Sequence, residues 1–382
     1  MHHPRLRRDL TVTEAADDLQ VAPLPIPTVD LADLADGADP ARRLEALAAL
    51  RRGFGELGLV YVRGHGVGPM AGLYDRFVDF TARPAAEKEV YNRKDLYYQR
   101  GWTPPNTEQA VVAGGQPDFK ECWFATPTPM PPELQVQFPE VYADNVWPEG
   151  DPVFPEICQA RGAELHRVGL ALVRGAAEAL GLPADALAAL CEGGPHIFRL
   201  LRYLPLTTEQ VEQKVLWGEE HTDFNLLTLL PGGRFHDPEG RVASPPSARS
   251  GLYLRTRGTP AHPSGRMVRG TAPEGCIVAQ VGQQLEMLTG GAFLATPHVI
   301  TAPDQPGWSR LSAAHFVHVH AHTTLFPLPP FRTPETERAY SPPVLAGTYG
   351  LKTLVDIGLA PASALASLGY RHYDRLAKLR ER

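Results

Sequence analysis

The chain has 382 residues, of which 43% are hydrophobic and 21% are charged, and its formal net charge is −6. This is an ordinary globular composition, and mild acidity without a basic stripe argues against nucleic acid as the main partner. No apolar stretch approaches the roughly 20 residues that a membrane helix needs, and the polar N-terminus lacks the apolar centre of a secretory signal.

The cysteine, proline and glycine contents add two expectations. The four cysteines are scattered without a C-x-x-C, which fits neither a zinc site nor a disulfide framework but suits a reducing cytoplasm. The 38 prolines and 35 glycines predict many short elements separated by turns.

The chain begins with signals for a strand and a capped helix. "IPTVDL" (26–31) is typical of a short strand. Asp39 is a good N-cap, and Pro40 suits the first helical position. Apolar residues then keep helical spacing up to Gly58, which is well placed to end the helix.

The next stretch continues this alternation. "LVYVRGHGV" (59–67) is predicted to be a strand, and 68–92 to be helical with a break near Pro84. Residues 93–153 are Pro-rich and aromatic, without clean periodicity. A second long helix is predicted over 155–181.

From residue 195 the pattern becomes that of a β protein. Short apolar segments such as "FNLLTLL", "SGLYLRT" and "CIVAQVG" alternate with turns that contain Gly or Pro, as in a jelly roll or a barrel. After 331 the chain mixes prolines with short helical pieces and ends in the amphipathic "YDRLAKLRER", which is predicted to be a solvated helix.

A histidine and an aspartate open one of these segments. In "HTDFNLLTLL", His221 and Asp223 are two apart, so in a strand both would point to one face. With 14 histidines, one H-x-D arises by chance about as often as not. The alternative is therefore that His221 and Asp223 are two polar residues at the start of a strand, without a metal. His298, in "GGAFLATPHVI", is the third candidate ligand, and two histidines with one carboxylate are the facial triad of non-haem Fe(II) oxygenases.

A second pair follows on a later segment. In "RLSAAHFVHV", Arg310 and Ser312 are again two apart and can face inward together. A guanidinium inside a β core is costly unless it binds an anion, and an arginine with a hydroxyl suits one carboxylate. Arg310 as a buried salt-bridge partner is the alternative.

With these motifs in this order, the sequence resembles the Fe(II)/2-oxoglutarate-dependent dioxygenases of the isopenicillin N synthase-like group. "HTDFNLLTLL", "LEMLTGGAFLATPHVI" and "RLSAAHFVH" carry the most specific matches, and the resemblance runs over most of the chain. It implies that His221, Asp223 and His298 bind Fe(II). It also implies that Arg310 and Ser312 hold the distal carboxylate of 2-oxoglutarate.

The resemblance extends to "LLRYLP", which looks like the family's strand with a tyrosine near the cosubstrate, here Tyr203. Family members often have Asn where Leu201 or Arg202 precedes this tyrosine, so the chain departs from the pattern there. The implied activity is oxidation of a small molecule by O₂, with 2-oxoglutarate converted to succinate and CO₂. Asp223 disfavours halogenation, because halogenating relatives carry a small residue there; hydroxylation, desaturation and ring closure stay open.

The resemblance and the segment pattern together predict a mainly β fold with helices: a double-stranded β-helix (jelly-roll) core buttressed by N-terminal helices. We expect one integrated catalytic domain over 1–382. Within it, 20–153 forms a helical and substrate-lid region, 195–325 the core that binds Fe(II) and 2-oxoglutarate, and 331–382 a C-terminal extension.

Candidate substrate contacts come from polar and aromatic residues of the lid and its surroundings, each with simple packing or a surface ion pair as the alternative. They are Arg100, Trp102, Lys120, Trp123 and Trp217. Glu219 and Glu220 are expected to be solvated or to orient His221. The expected partner is a small-molecule substrate, with no nucleic acid and no membrane, and the resemblance permits a role in secondary metabolism.

Two other functions remain open from the sequence. An oxidase of the isopenicillin N synthase type would use the same iron site without 2-oxoglutarate, since the anion clamp could serve a substrate carboxylate. A noncatalytic metal-binding protein would instead use His318, His320 and His322, which alternate in "HFVHVHAH". If that strand continues unbroken, His318 shares its face with Arg310 and lies at the mouth of the site.

Overall fold

The computed structural model describes residues 26–108, 119–247, 250–256 and 265–367. The "YDRLAKLRER" tail therefore lies outside the described residues. Helices predominate before residue 195 and strands after it. No helix in the described part of the chain combines the length and apolar character that a membrane crossing requires.

The first half of the chain contains five strands and six helices, besides short 3₁₀ and π turns, within the residues described. The strands are β1 (Thr28–Asp30), β2 (Leu59–Arg63), β3 (Gly101–Thr103), β4 (Lys120–Ala125) and β5 (Ile197–Tyr203). The helices are α1 (Pro40–Arg52), α2 (Ala71–Thr81), α3 (Ala85–Glu89), α4 (Pro132–Gln137), α5 (Val153–Ala179) and α6 (Asp185–Ala188).

The second half supplies most of the β core and a helical C-terminal segment. Its strands are β6 (Gly218–His221), β7 (Leu227–Leu230), β8 (Gly233–His236), β9 (Val242–Ala243), β10 (Gly251–Arg255), β11 (Met267–Arg269), β12 (Ile277–Val281), β13 (His298–Thr301), β14 (Ser309–Val317), β15 (Thr324–Leu325) and β16 (Val344–Leu345). Its helices are α7 (Thr208–Glu212), α8 (Gln283–Leu288), α9 (Pro334–Ala339), α10 (Ala346–Asp356) and α11 (Ser363–Ser367).

Local signals fix the start and end of the first helix. Asp39 Oδ1 accepts from the backbone N–H groups of Ala41 and Arg42, each at 3.0 Å, which satisfies donors that the helix cannot pair internally. After α1 the chain makes one π turn, and this helical segment ends at Gly58. The φ of Gly58 is 74°, a backbone conformation that favours glycine. The predicted N-cap and helix end are confirmed.

Two facing sheets form the core. The larger sheet has the order β1-β2-β12-β7-β14-β5-β4-β3, with β8 paired to β14 and β9 to β8. The smaller sheet has the order β11-β10-β13-β6. Apolar side chains of both sheets, including Leu201, Trp217, Val278 and Ile300, pack together between them. This arrangement confirms the predicted jelly roll.

The long helix α5 supports the outer face of the larger sheet. Its residues Leu165, Val168 and Leu172 are fully buried in the same cluster as Leu311 and Val317 of β14. Along β14 the alternate residues therefore face the opposite way, into the space between the sheets. These inward residues include Arg310 and Ser312.

One predicted strand ends earlier than its sequence suggests. The alternating "HFVHVHAH" leaves the sheet after Val317, since the backbone N–H of His318 bonds to His196 Nδ1 at 3.1 Å and that of Val319 to Gln284 Oε1 at 3.0 Å. Side-chain acceptors replace the strand neighbour at that point, so the strand does not continue unbroken through 318–322. His318 is still buried at the mouth of the space between the sheets.

Candidate metal centre and active-site cavity

The three predicted metal ligands come together where two neighbouring strands meet. His221 is the last residue of β6 and His298 is the first of β13, and the two are direct partners across the antiparallel pair. Asp223 lies beyond the end of β6, in the turn that leads to β7. The expectation that His221 and Asp223 share a strand face is therefore wrong, because the turn brings the carboxylate to the two imidazoles.

The distances suit a single small cation. Asp223 Oδ1 lies 3.7 Å from His221 Nε2 and 3.9 Å from His298 Nε2, and one ligand atom of each residue lies within 4.8 Å of the others. Among the described residues this is the one group of three or more His, Cys, Asp or Glu side chains with such spacing. The histidines of 318–322 form no comparable group within that part of the chain.

Each ligand is oriented by a hydrogen bond on its far side. His221 Nδ1 lies 2.7 Å from the backbone oxygen of Glu219, to which it can donate only as Nδ1–H, so Nε2 keeps a free lone pair. Thr228 Oγ1 donates to Asp223 Oδ2 at 2.7 Å and leaves Oδ1 toward the histidines. Such outer partners are typical of metal ligands.

His298 has an equivalent partner in Gln280 of β12, whose side-chain amide lies 2.7 Å from His298 Nδ1. With Nε2 of the amide toward the ring, Gln280 Oε1 is buried without a partner. If the side-chain amide is rotated by 180°, Gln280 Oε1 accepts a hydrogen bond from His298 Nδ1–H. This satisfies the buried oxygen and leaves the lone pair of His298 Nε2 free for a metal. The residues present therefore fit a divalent iron ion with two imidazoles and one carboxylate.

The electrostatics favour the ligand form of the buried histidine. Burial, with a contribution from the neighbouring His221, lowers the pKa of His298 to about 4, so its ring is neutral near neutral pH. The His298 and Asp223 side chains are only 9% and 11% exposed, whereas that of His221 is 48% exposed. The centre is thus open to an incoming molecule on the His221 side.

The predicted anion clamp lies on the inward face of β14. The Arg310 guanidinium carbon lies 5.5 Å from the ring centre of Tyr203 and 5.7 Å from that of Phe235. Ser312 is buried on the same face. Within the described residues no carboxylate lies at ion-pair distance from Arg310, so the salt-bridge alternative has no partner there.

Trp217 buttresses this clamp. It stacks on Tyr203 with ring centres 5.5 Å apart and donates from Nε1 to the Leu204 backbone oxygen at 2.9 Å. Burial raises the pKa of the Tyr203 hydroxyl, which keeps it a neutral donor. The structure therefore brings Tyr203, Arg310 and Ser312 together, with Trp217 behind them.

A cavity of about 940 Å³ opens from the metal centre. Its walls come from the ends of the sheets, the segments around residues 97–99 and 137–142, and the C-terminal residues 342–359. Helix α10 covers one side of it, and the hydroxyl of Tyr349 on that helix donates to Gln283 Oε1. Apolar and aromatic lining residues include Phe124, Phe138, Tyr142, Phe224, Phe316 and Leu351.

Of the five predicted substrate contacts, Lys120 lines this cavity, Trp217 lies behind the clamp, and the three others lie elsewhere. Arg100 is fully buried and donates to the backbone oxygens of Gln99, Val141 and Ala143. Trp102 donates to Glu121, and Trp123 packs in an aromatic cluster with Phe80, Tyr91, Trp147 and Phe154. These three side chains are engaged in internal hydrogen bonds and packing.

Two nearly buried charged residues of the cavity wall stand out among those that were not selected from the sequence. Glu108 and Arg199 line the cavity beside Lys120, and Glu108 bonds to both cations. A usable signal did exist, because Arg199 shares the strand parity of Tyr203 in "HIFRLLRY", and the argument applied to Arg310 holds for it equally.

Three features define the class of non-haem iron oxygenases. They are the jelly roll, the oriented His-Asp-His triad and an inward arginine without an acidic partner in the described residues. A family profile described as the N-terminal region of non-haem dioxygenases in morphine synthesis matches residues 26–150. The chain is similar to the Fe(II)- and 2-oxoglutarate-dependent dioxygenases.

Curated relatives are also dioxygenases. A 2-oxoglutarate-dependent dioxygenase, frbJ, of Dothideomycetidae sp. (strain 11243) is 24% identical over 294 residues, 76% of this chain and 73% of its own. The 2'-deoxymugineic-acid 2'-dioxygenase of Hordeum vulgare is 24% identical over 90% of this chain and 89% of its own.

Solved structures share the fold. A full-length Neurospora crassa protein in complex with alpha-KG has a TM-score of 0.70 at 21% identity, with 88% of this chain and 98% of its own covered. A protein of Caulobacter crescentus described under the 2OG-Fe(II) oxygenase family has a TM-score of 0.66 at 25% identity, with 87% and 99% covered.

Proposed function

We propose that this protein oxidises a small organic molecule with O₂ at an Fe(II) ion held by His221, Asp223 and His298, and that 2-oxoglutarate is the co-oxidised substrate. The observation that carries the proposal is the combination of the oriented triad with Arg310, an inward arginine that has no acidic partner in the described residues. Iron, when bound, would supply the activation of O₂, with 2-oxoglutarate decarboxylated to succinate and CO₂.

The chain's own residues then bind and orient the reactants. Arg310 and Ser312 would hold the distal carboxylate of 2-oxoglutarate, with Tyr203 beside them as a neutral hydroxyl donor. Since the guanidinium lies between the Tyr203 and Phe235 rings, the clamp is held in place before the anion arrives. Leu201 and Arg202 stand where relatives often have Asn, so Tyr203 acts here without that amide.

The cavity excludes water from the reaction and selects the substrate. Three segments line the cavity together with His221 and Asp223, and the His221 side of the centre is open. Relatives named for leucoanthocyanidin and 2'-deoxymugineic acid, and a Neurospora crassa complex that contains thymine, point to small molecules of very different shape. We infer a small-molecule substrate here too, in secondary metabolism, and the free cysteines suit the expected cytoplasmic location.

The proposal is tested by incubating the iron-loaded enzyme with 2-oxoglutarate and measuring succinate and O₂ consumption together. We expect succinate release that requires both Fe(II) and O₂, because the open His221 side gives both reactants access to the iron. Arg310→Ala should raise the KM for 2-oxoglutarate at least tenfold, the loss expected for one charge-assisted interaction of about 1.4 kcal/mol or more.

The control is Arg202→Met, a change on the outer face of β5 that leaves the clamp intact. Its KM for 2-oxoglutarate should stay within about twofold of wild type. Iron binding without any succinate release, and without a response to Arg310→Ala, would favour the oxidase that uses no 2-oxoglutarate.

A further inference from the structure

A charged cluster lies on the wall of the cavity that also contains His221 and Asp223. Lys120 and Arg199 project from β4 and β5 into the cavity and share one carboxylate, that of Glu108. Glu108 Oε1 lies 2.6 Å from Arg199 Nη2, and Oε2 lies 2.8 Å from Lys120 Nζ. All three side chains are nearly buried, with exposures of 9–13%.

The carboxylate of this cluster is ionised and fully used. Burial alone would raise the pKa of Glu108, but Arg199 and Lys120 lower it to about 2. Because each of its oxygens faces a different cation, Glu108 gives Arg199 one contact rather than the bidentate pair that a guanidinium prefers. Its role is that of an internal counter-ion that fixes the two cations in place.

Arg199 keeps unused capacity to donate. Nη2 contacts both Glu108 and Cys122 Sγ, the latter at 3.1 Å, and Nε is buried without an acceptor. Burial raises the pKa of the Cys122 thiol to about 11, so that partner is neutral. Glu108 is the one carboxylate at ion-pair distance from Arg199 among the residues that the structure describes. A guanidinium in a low-dielectric wall therefore lacks a complete anionic partner.

The cluster is separate from the clamp for 2-oxoglutarate but close to the metal. Lys120 is the direct neighbour of Tyr203 across β4 and β5, and its charge contributes to the low pKa of His298, which burial chiefly causes. Arg199 lies four residues before Tyr203 on the same inward face, further from Arg310. An anion at Arg199 would thus belong to the second substrate, not to the cosubstrate.

The rest of the cavity is suited to an apolar body. Phe124 lies under the Arg199 guanidinium, whose carbon is 4.8 Å from the ring centre, and Phe138, Phe224 and Phe316 line the adjoining walls. Such rings bind apolar or aromatic groups, while one buried charged group fixes their orientation.

We propose that the primary substrate is an apolar or aromatic molecule with one carboxylate, and that Arg199, fixed by Glu108, binds this carboxylate while the apolar part lies against the phenylalanines near the iron. This assignment rests on the proposed function, because it names the substrate of the same site. Arg199 is then the residue that determines substrate class.

The test uses the full-length protein with Mn(II) in place of Fe(II) and saturating 2-oxoglutarate, so that Arg310 is occupied. Phenylacetate, 3-phenylpropanoate and 4-phenylbutanoate are titrated calorimetrically beside their primary amides, which match them in shape but lack the charge. We expect at least one acid to bind about tenfold or more tightly than its amide, as a charge-assisted hydrogen bond predicts.

Arg199→Met should remove at least about fivefold of that preference, while the affinity for 2-oxoglutarate stays within about twofold. Arg202→Met, on the outer face of the same strand, should keep the preference. Arg199→Lys retains the positive charge without the planar fork and should keep an intermediate preference, which covers the case that the methionine variant folds poorly.

Equal binding of acids and amides to the wild type, no binding by any acid, or a preference that survives Arg199→Met would each overturn the assignment. Failure of the proposed function is distinguishable, since it appears as loss of 2-oxoglutarate binding in the same titrations before any acid is added.

Discussion

At the scale of single residues, the proposed metal centre depends on side chains that would not touch the metal. Gln280 holds the far nitrogen of His298, Thr228 holds Asp223, and a backbone oxygen holds His221. The ligands themselves were predictable from the sequence, because H-x-D, a later His and R-x-S are local motifs. Gln280 was not, since it reaches His298 from the opposite sheet and no spacing along the chain encodes that contact.

Gln280→Leu is expected to weaken metal binding by about 10-fold, because His298 Nδ1 loses its 2.7 Å partner and keeps only the Thr296 backbone oxygen at 3.4 Å. Mn(II) affinity, followed by electron paramagnetic resonance, measures the effect directly.

Gln280→Glu is the matched control, since it keeps an acceptor at the same place and should bind Mn(II) nearly as tightly as the wild type. If the leucine variant bound Mn(II) like the wild type, the orienting role of Gln280 would be wrong.

At the scale of elements, β14 is the strand that positions the proposed cosubstrate site. It pairs with β5, β7 and β8, and Gly233 of β8 lies directly across from Ser312. A Cβ at Gly233 would lie 2.7 Å from Arg310 Nη2 and 2.7 Å from the Leu311 backbone oxygen. Glycine is therefore required here by the close approach of β8 to the clamp.

Gly233→Ala should raise the Kd for 2-oxoglutarate about tenfold, because the methyl group displaces the guanidinium from between its two rings. Calorimetric titration of the Mn(II)-loaded protein measures this change. Mn(II) binding itself should be unaffected.

Gly72→Ala serves as the control, since a Cβ there meets nothing within 4 Å. It lies in α2, where alanine is favoured over glycine, so stability should rise slightly and 2-oxoglutarate binding should not change. Equal affinities in the two variants would contradict the role assigned to Gly233.

Elements with strong local signals were predictable and the others were not. Helix α1 has its N-cap and Pro at the first turn, and α5 has a long apolar stripe, so both were found close to their observed bounds. The strand ends at His221 and Val317 were missed, because they depend on hydrogen bonds to distant side chains or on the turn toward Asp223. The alternation of apolar and polar residues in the sequence continues past these strand ends, so it cannot mark them.

At the scale of the whole molecule, two buried histidines and one half-buried histidine behind the larger sheet couple stability to pH. His166 of α5 lies 3.2 Å from His315 of β14, and its ring centre is 4.2 Å from that of His196. Burial lowers the pKa of His166 to about 4, and those of His196 and His315 well below the usual 6.5.

The unfolded chain therefore takes up protons on these rings as pH falls through about 6.5, while the folded protein does not. Their contribution to stability is present above that pH and is lost toward pH 4, by about 1.4 kcal/mol for each pKa unit. The urea midpoint should fall steeply between pH 7 and pH 5.

His166→Gln removes one of these groups, so the free energy of unfolding of the variant should depend less on pH over the same window, even if the variant is less stable at pH 7. An identical pH dependence in wild type and variant would show that His166 is not buried in its neutral form.

The overall fold was predictable because every level of the sequence agreed on it: capped helices first, then short alternating strands with Gly- and Pro-rich turns, then the ordered motifs. The composition of the cavity wall was not predictable, because the segments near residues 97, 140 and 350 come together only in the folded molecule. The charged cluster of Glu108, Lys120 and Arg199 unites three such distant positions.

The most direct test of the central claim is anaerobic titration of Fe(II) and then 2-oxoglutarate into the metal-free protein, with the visible absorption spectrum recorded. We expect a weak charge-transfer band that requires both the iron and the 2-oxoacid, is absent in Asp223→Ala and is weakened in Arg310→Ala. Iron binding that persists unchanged in Asp223→Ala would contradict the triad, and His221 and Asp223 would then be no more than polar residues at the end of a strand.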